Sequence, residues 1–452
     1  MNKQQEKSER QIRRGVAWNL VGLVVNKGAS IVVRLIVARL LLPEDFGVIA
    51  MITVTLGLVG LLCDLGLKSA LIQRSKDELV ESSFDSVFWL LFFVGFFWMT
   101  AFMLAGIPLM VLVFDEPRLV DLAMVMGISI PLYGVVVVPE ARLVRQMRFR
   151  TLVTAEMIST LLASITAIAL VFSGWGVWAL ALQELMAKFL RTGFIWRLAH
   201  WRPRRHFSLD ALHALSGFSR YMLGTELIRY TRQNMDRILI GALLGTASLG
   251  VYTMAFMMTE TVRSQITGMI SRVMFPAYSR AQADRAEVRR LYLKVIRYTT
   301  LATFPVAILM ILYADKIVPF LFGDAWLEAV APVQILSLAS MLFALTGDPS
   351  VVLRSIGRPN IAFYISFWNT ILVGIPAIVI ATMSFGVNGA AWAIVFHYGS
   401  SRIIAQYYLR REILVSEISI LKSVLPAFLV VVTILLIGYF LGNAEILSVF
   451  NG

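Results

Sequence analysis

Apolar residues run through this chain in long blocks separated by short polar punctuation, a rhythm that predicts helices of about 20 residues, enough to cross roughly 30 Å of hydrocarbon. The blocks fall at 16–41, 46–67, 83–113, 119–139, 151–172, 176–197, 215–244, 248–275, 295–314, 329–352, 360–383, 388–409 and 420–441. About 13 spans are expected. Each should be helical, because lipid offers no partner to an open peptide group. Pro131, Pro305 and Pro376 lie inside blocks and are expected to kink helices rather than end them. Turn signals separate the blocks at Pro43, Asp115-Glu116-Pro117, Gly174-Trp175-Gly176, Gly245-Thr246, Gly323-Asp324 and Gly357-Arg358-Pro359.

One stretch occurs twice. RLIVARLLLPEDFGVIAM, Arg34 to Met51, returns after 203 positions as RILIGALLGTASLGVYTM, Arg237 to Met254, with six identities in eighteen positions. The first and seventh spans would then start on the same side, so the halves are parallel repeats about an axis normal to the membrane. The expected fold is an all-α polytopic membrane protein of two six-helix lobes. Its segments are a cytoplasmic N-terminal stretch 1–15, an N-lobe 16–200, a linker 201–214, a C-lobe 215–411 and an extra helix in 412–452.

Charge sets the orientation. With the N-terminus inside, the inner-side segments hold 28 Lys and Arg, and the outer side holds only Arg118 and Lys316. The net charge of +13 therefore belongs to loops beside an anionic leaflet, which removes nucleic acid as a partner. Composition agrees: 58% hydrophobic and 15% charged residues leave no room for a soluble domain. The first fifteen residues are polar and do not form a cleavable signal. Cys63 is the single cysteine, so no internal disulfide is expected, and His200, His206, His213 and His397 are too scattered to hold a metal.

Eleven basic residues remain inside spans. An ionisable group at that depth is costly and usually faces a cavity or a partner. Lys27 and Arg34 are seven apart on one face of span one. Glu226, Arg229, Gln233, Asp236 and Arg237 make a stripe on span seven, with Arg232 beside it; span eight adds Glu260, Arg263 and Arg272, and span six Glu184, Lys188 and Arg191. Bland readings stand beside these. Arg39, Lys188, Arg191 and Arg272 are near enough to span ends to snorkel. Arg232 with Asp236, and Arg263 with Glu260, can be internal ion pairs, and Asp64 with Lys68 a local pair or cap. Arg34, Arg229 and Arg237, joined by Lys27, Arg232 and Arg263, are the candidate lining of a cationic cavity, since the guanidinium fork suits phosphate. Asp236, Glu226 and Glu184 are the candidate carboxylates for H+ or Na+ coupling. No phosphate-binding loop of the GxxxxGK[ST] kind occurs, so ATP hydrolysis by this chain is not expected.

RRGVAWNLVG, RLIVARLLLPEDFGVIAM, LGLKSALIQR, FPAYSRAQAD at 275–284 and GRPN at 357–360 together resemble Wzx-type polysaccharide flippases, the polysaccharide-transporter branch of the multidrug/oligosaccharidyl-lipid/polysaccharide superfamily. The resemblance covers about residues 10 to 415. It implies a non-catalytic transporter without a cofactor, moving undecaprenyl-diphosphate-linked oligosaccharide from the cytoplasmic to the outer leaflet of a bacterial inner membrane by alternating access. Spans one, two, seven and eight would line the cavity, and a polysaccharide polymerase and glycosyltransferases are the implied partners. Three rivals stand beside it. A multidrug exporter of the same superfamily would want acidic groups deep in the cavity. A membrane glycosyltransferase or polymerase would need outer carboxylates; Glu44-Asp45 and Asp115-Glu116 are candidates by type, but helix capping and turns explain them more simply. A scaffold explains the topology and not the arginines.

Overall fold

The computed structural model describes residues 28, 30–74 and 81–450, and among these the backbone is almost all helical, with no strand. Among the described residues eight helices are long and apolar enough to cross a membrane, or nine if the bent pair Leu119–Val135 and Val137–Arg145, angled by 42°, is one span. Two of the eight, Leu209–Glu260 with 52 residues and Pro359–Ile413 with 55, outlast a single crossing; at 1.5 Å per residue each would run for roughly 80 Å. Both carry breaks. Gly245 sits at φ 80°, ψ −171° in the first, and Phe385 and Gly386, the latter at φ 59°, interrupt the second. The first break falls at the expected turn Gly245-Thr246, and the second falls in the gap between the expected blocks 360–383 and 388–409. Trp178–Ala199, which carries Glu184, Lys188 and Arg191, is not among them, and half of the expected first span lies outside the described residues.

The three prolines act in two ways. Pro305 lies within the continuous helix Arg285–Phe322. Pro131 and Pro376 instead sit at the second position of new helical segments, Ile130–Val135 and Ile375–Ile413. A π-helical stretch, Asn369–Gly374, leads into Pro376. Proline lacks the N–H that a continuing ladder needs, and the break lets the helix restart around it.

Packing divides the chain into two compact units, Met1–Gly250 and Val251–Gly452. Helix residues 209–250 thus join the N-terminal unit, and the segment before them is tied to it as well. Asp85 Oδ1 accepts from the Arg204 N–H at 3.0 Å, Ser86 Oγ from the Ser208 N–H at 2.9 Å, and Trp89 Nε1 donates to the Arg204 carbonyl at 2.8 Å. The helix then begins at Leu209, six residues before the expected span. Nearby, Phe88 lies edge-on to Trp89, Trp196 and Trp201 within 5.7 Å, over the buried Leu67, Leu71, Leu91 and Val138.

Glycines let the Pro43–Asp64 helix come close to the 209–250 segment. A Cβ on Gly57 would lie 2.2 Å from the Tyr230 hydroxyl, which donates to the Val54 carbonyl at 2.6 Å. A Cβ on Gly66 would lie 2.7 Å from the Ser219 carbonyl. Small residues serve in this way wherever membrane helices approach backbone to backbone.

The C-terminal unit has its own core, in which Val288, Tyr292, Ile296 and Phe304 of the Arg285–Phe322 helix meet Val352, Leu353, Leu409, Ile413 and Ile420. Asp284 caps that helix, accepting from the Ala286 and Glu287 N–H groups at 2.9 and 3.2 Å. Tyr292 is fully buried and donates its hydroxyl to the Thr346 carbonyl at 2.7 Å.

Candidate functional site

Within the N-terminal unit the intramembrane charges form a polar column. Arg34 is exposed and stands in the electrostatic field of Glu184 and Arg237, so the two arginines matched by the repeat are near enough to sense each other. Glu184 accepts from the Thr53 hydroxyl at 3.0 and 3.1 Å. Arg237 donates to Asn234 Oδ1 at 3.2 Å. One turn further along the sixth-span stripe, Lys188 sits 4.9 Å over the Tyr133 ring and 3.4 Å from Ser129 Oγ. Two turns along, Arg191 reaches Glu140 at 2.8 Å, and Glu140 also takes Lys68 at 3.1 Å.

Several expectations change here. Lys188 and Arg191 do not snorkel; they turn inward, because Tyr133 and Glu140 offer partners that lipid lacks. Lys68 sends its ammonium to Glu140 and only its backbone N–H to Asp64, at 3.1 Å, so Asp64 tethers the start of the short helix Leu67–Gln73, whose N-cap is Gly66. Arg229 is exposed but engaged: it pairs with Glu226 and donates to Gln233 at 2.9 Å. Arg232 is exposed on the same stretch, and Asp236 is buried. Lys27 lies outside the described residues.

Arg263 sits in the C-terminal unit, 8% exposed. Its Nε donates to both Glu260 oxygens at 2.9 and 3.0 Å, and its guanidinium lies 3.7 Å from the Phe343 ring centroid. Glu260, 1% exposed, also accepts from Ser340 Oγ at 2.8 Å and the Tyr398 hydroxyl at 3.0 Å. Of the two readings left open for this pair, the structure takes the internal ion pair. A cavity of about 20 Å³ adjoins it, lined by Thr259, Arg263, Thr303, Ser337 and Ser340. That is room for one water, and Thr303 Oγ1 has no hydrogen-bond partner among the described residues. A π-helical stretch, Met257–Thr261, carries Glu260 into place. A second polar knot escaped the sequence reading: Asn369 Nδ2 contacts His397 Nδ1 and carbonyl, both at 3.2 Å, and Ser400 donates to Asn369 Oδ1 at 2.9 Å. Spacing alone signals Glu260 with Arg263; Ser340, Asn369 and Tyr398 come from distant helices and carry no local mark.

Outside the spans, three of the four carboxylates that an enzyme reading would use, Glu44, Asp45 and Glu116, are already engaged. Arg118 reaches Glu116 at 3.0 Å and Glu44 at 2.9 Å, and Thr246 donates to Glu116 at 3.2 Å. The hydrogen bond from Arg118 holds the Glu116 carboxyl below the usual range, and the bonds to Glu116 and Glu44 push the guanidinium up. Asp45 Oδ2 accepts from the Leu42 N–H at 3.2 Å, an N-terminal capping contact.

The chain is similar to known proteins over most of its length. It is 26% identical over 353 residues to the succinoglycan biosynthesis transport protein ExoT of Rhizobium meliloti (strain 1021), covering 78% of this chain and 71% of that one. It is 25% identical over 443 residues to the lipopolysaccharide biosynthesis protein WzxC of Escherichia coli (strain K12), covering 95% and 87%. Its fold matches the lipid II flippase MurJ in an inward closed conformation with a TM-score of 0.76 at 14% identity, over 93% of this chain and 92% of that one. The family model described as polysaccharide biosynthesis protein matches residues 36–331. With well over half of its length inside that match, the chain belongs to the polysaccharide biosynthesis protein family.

Proposed function

We propose that this multi-pass membrane protein is a flippase for a lipid-linked oligosaccharide, carrying polysaccharide repeat units on undecaprenyl diphosphate from the cytoplasmic to the outer leaflet of a bacterial inner membrane. The observation that carries the reading is the family match over residues 36–331, joined by transport and lipopolysaccharide-biosynthesis relatives along most of the chain. The chain is a transporter and not a catalyst. Its N-terminus is cytoplasmic in this reading, the two repeats form six-helix lobes that rock about a cavity, and a polymerase and glycosyltransferases act before and after it.

Arg34 and Arg237 are the first residues to grip diphosphate or acidic sugar. Arg34 is exposed and Arg237 half-buried, and with Glu184 beside them the two guanidinium groups keep the local charge positive without leaving it uncompensated. Arg229 serves as a weaker contact because Glu226 already neutralises it. Arg263 leaves the substrate set and becomes a structural residue, since its fork is spent on Glu260. Glu184 is the coupling carboxylate to test first. The multidrug reading falls behind because the column holds more guanidinium than carboxylate.

The test is a strain lacking its own flippase for the matching polysaccharide. Expression of this chain should restore surface polysaccharide and clear the lipid-linked oligosaccharide that accumulates on the cytoplasmic leaflet. Surface polysaccharide that stays absent at normal protein levels, in the strain whose glycan genes neighbour this one, would sink the proposal.

A further inference from the structure

An open pocket of about 420 Å³ lies on the N-terminal unit, away from the arginine column. Its wall is apolar and built from Leu65, Leu67, Leu90, Leu209, Leu212 and Leu223. The size falls in the range of small-ligand pockets. That is room for an apolar tail on the scale of a phospholipid acyl chain.

The wall is built at some cost. Leu65 and Gly66 are consecutive left-handed residues, φ 53° and 72°, and the left-handed region is one that leucine rarely enters. This corner separates the Pro43–Asp64 helix from Leu67–Gln73 and leaves Leu65 and Leu67 both lining the cavity. Ser219, also in the lining, is 6% exposed, and its Oγ has no hydrogen-bond partner among the described residues. A buried hydroxyl of this kind is satisfied by a polar ligand atom such as an ester carbonyl.

The mouth is basic. Arg220, which lines the cavity, is exposed; the Arg74 guanidinium rests on the Ala214 carbonyl at 3.0 Å, next to His213, another lining residue. Arg220 follows Ala214 by six residues, about 9 Å along the helix axis. Asp210 is the acidic residue on this first turn of the helix, against Arg202, Arg204 and Arg205 just before it. The tryptophans Trp89, Trp196 and Trp201 lie in the adjoining core, and such rings gather at the level of lipid head groups.

We infer that this cavity is a binding site for one acyl chain of an anionic membrane phospholipid, with the head-group phosphate held by Arg220 and Arg74 and an ester carbonyl taking the Ser219 hydroxyl. Basic pockets between membrane helices hold anionic head groups by this combination of paired donors and buried chain. The lipid would brace the Leu65–Gly66 corner against the Leu209–Phe256 helix. This site is independent of the substrate route.

Purified full-length protein, stripped of lipid, is titrated with phosphatidylglycerol, phosphatidylcholine of the same chains, or a polyprenyl phosphate, and bound lipid is counted by native mass spectrometry. One phosphatidylglycerol is expected, retained at least tenfold more tightly than phosphatidylcholine. The double variant Arg74→Gln/Arg220→Gln should bring the two lipids level. Leu212→Trp should exclude both, and Leu90→Trp fills the same space from another helix, so a folding defect in one is told from loss of the cavity by size-exclusion profile. Equal retention of both lipids by the unaltered protein, or undiminished retention by both tryptophan variants when folded, overturns the inference. Displacement of phosphatidylglycerol by equimolar polyprenyl phosphate also overturns it and assigns the cavity to the carrier tail.

Discussion

Gly47 and Gly250 mirror each other across the internal repeat: a Cβ on Gly47 would lie 1.8 Å from the Thr246 carbonyl oxygen, and one on Gly250 would lie 1.7 Å from that of Pro43. The 203-residue shift that pairs Gly47 with Gly250 also pairs Pro43 with Thr246. Each copy of the repeat thus presses its glycine onto the turn residue of the other. A duplication read as a row of identities becomes a reciprocal backbone contact.

Gly47→Ala and Gly250→Ala should each destabilise the protein by about 1–3 kcal/mol, because the obstacle is backbone and cannot rotate away. Together they should depart from additivity, since they share one contact. Thermal unfolding in detergent checks this. Gly224→Ala, where nothing lies within 4 Å of the added carbon, is the control and should be neutral or slightly stabilising, as alanine is in helices.

Removing Glu260 while keeping Arg263 leaves a guanidinium buried without its counter-charge. Glu260→Gln should cost about 3–5 kcal/mol, the range for breaking a buried pair from one side. Glu260→Gln/Arg263→Met should recover most of that loss. The unfolding midpoints of the three proteins decide the matter; a double variant no better than the single would show that the pair is not the source of the effect.

Among the arginines of the column, the order of effect on polysaccharide export should be Arg34 and Arg237 first, then Arg229. Arg34→Ala and Arg237→Ala should each cut export about tenfold or more at equal protein level, the loss of roughly 1.4 kcal/mol or more of charge-assisted binding. Arg229→Ala should do less, because Glu226 already satisfies its fork. Lysine at 34 should restore part of the activity, as it keeps the charge and loses the paired donors. Export assays with membrane-fraction blots read all four; equal loss at Arg229 and Arg34 would contradict the order.

Acid should loosen the turn that joins Glu44, Glu116, Arg118 and Thr246. Glu116 titrates below its ordinary range in the folded protein, because Arg118 donates to it. A depressed carboxyl stabilises the fold fully above its unfolded value, and this contribution is lost as pH falls through the lower folded value. Unfolding temperatures should therefore decline between about pH 5 and pH 3, and Glu116→Gln should flatten that decline. The exposed setting of Arg118 keeps the effect small.

The spans, their breaks and the buried charges were legible because each has a local cause. About 20 apolar residues make a crossing whatever surrounds them, and Gly245 and Gly386 interrupt long helices because glycine alone enters those backbone regions freely. Glu260 with Arg263 was visible as a pair three residues apart, and Glu226 and Arg229 stood on one stripe of the same helix face. What stayed hidden was any partner drawn from another helix: Glu140 for Arg191 and Lys68, Ser340 and Tyr398 for Glu260, His397 for Asn369.

By itself the sequence determined that this is a helical membrane protein, that one stretch of it recurs after 203 positions, and that arginines sit where lipid would reject them. These follow from lengths, identities and charges that no packing can alter. Tertiary structure alone decided that Arg34 and Arg237 share an electrostatic neighbourhood while Arg263 is closed off by Glu260, and that the 209–250 helix belongs with the first unit. The reason is range. Hydropathy acts along the chain, whereas a guanidinium chooses its role by the groups within a few ångströms of it, and those arrive from anywhere in the fold.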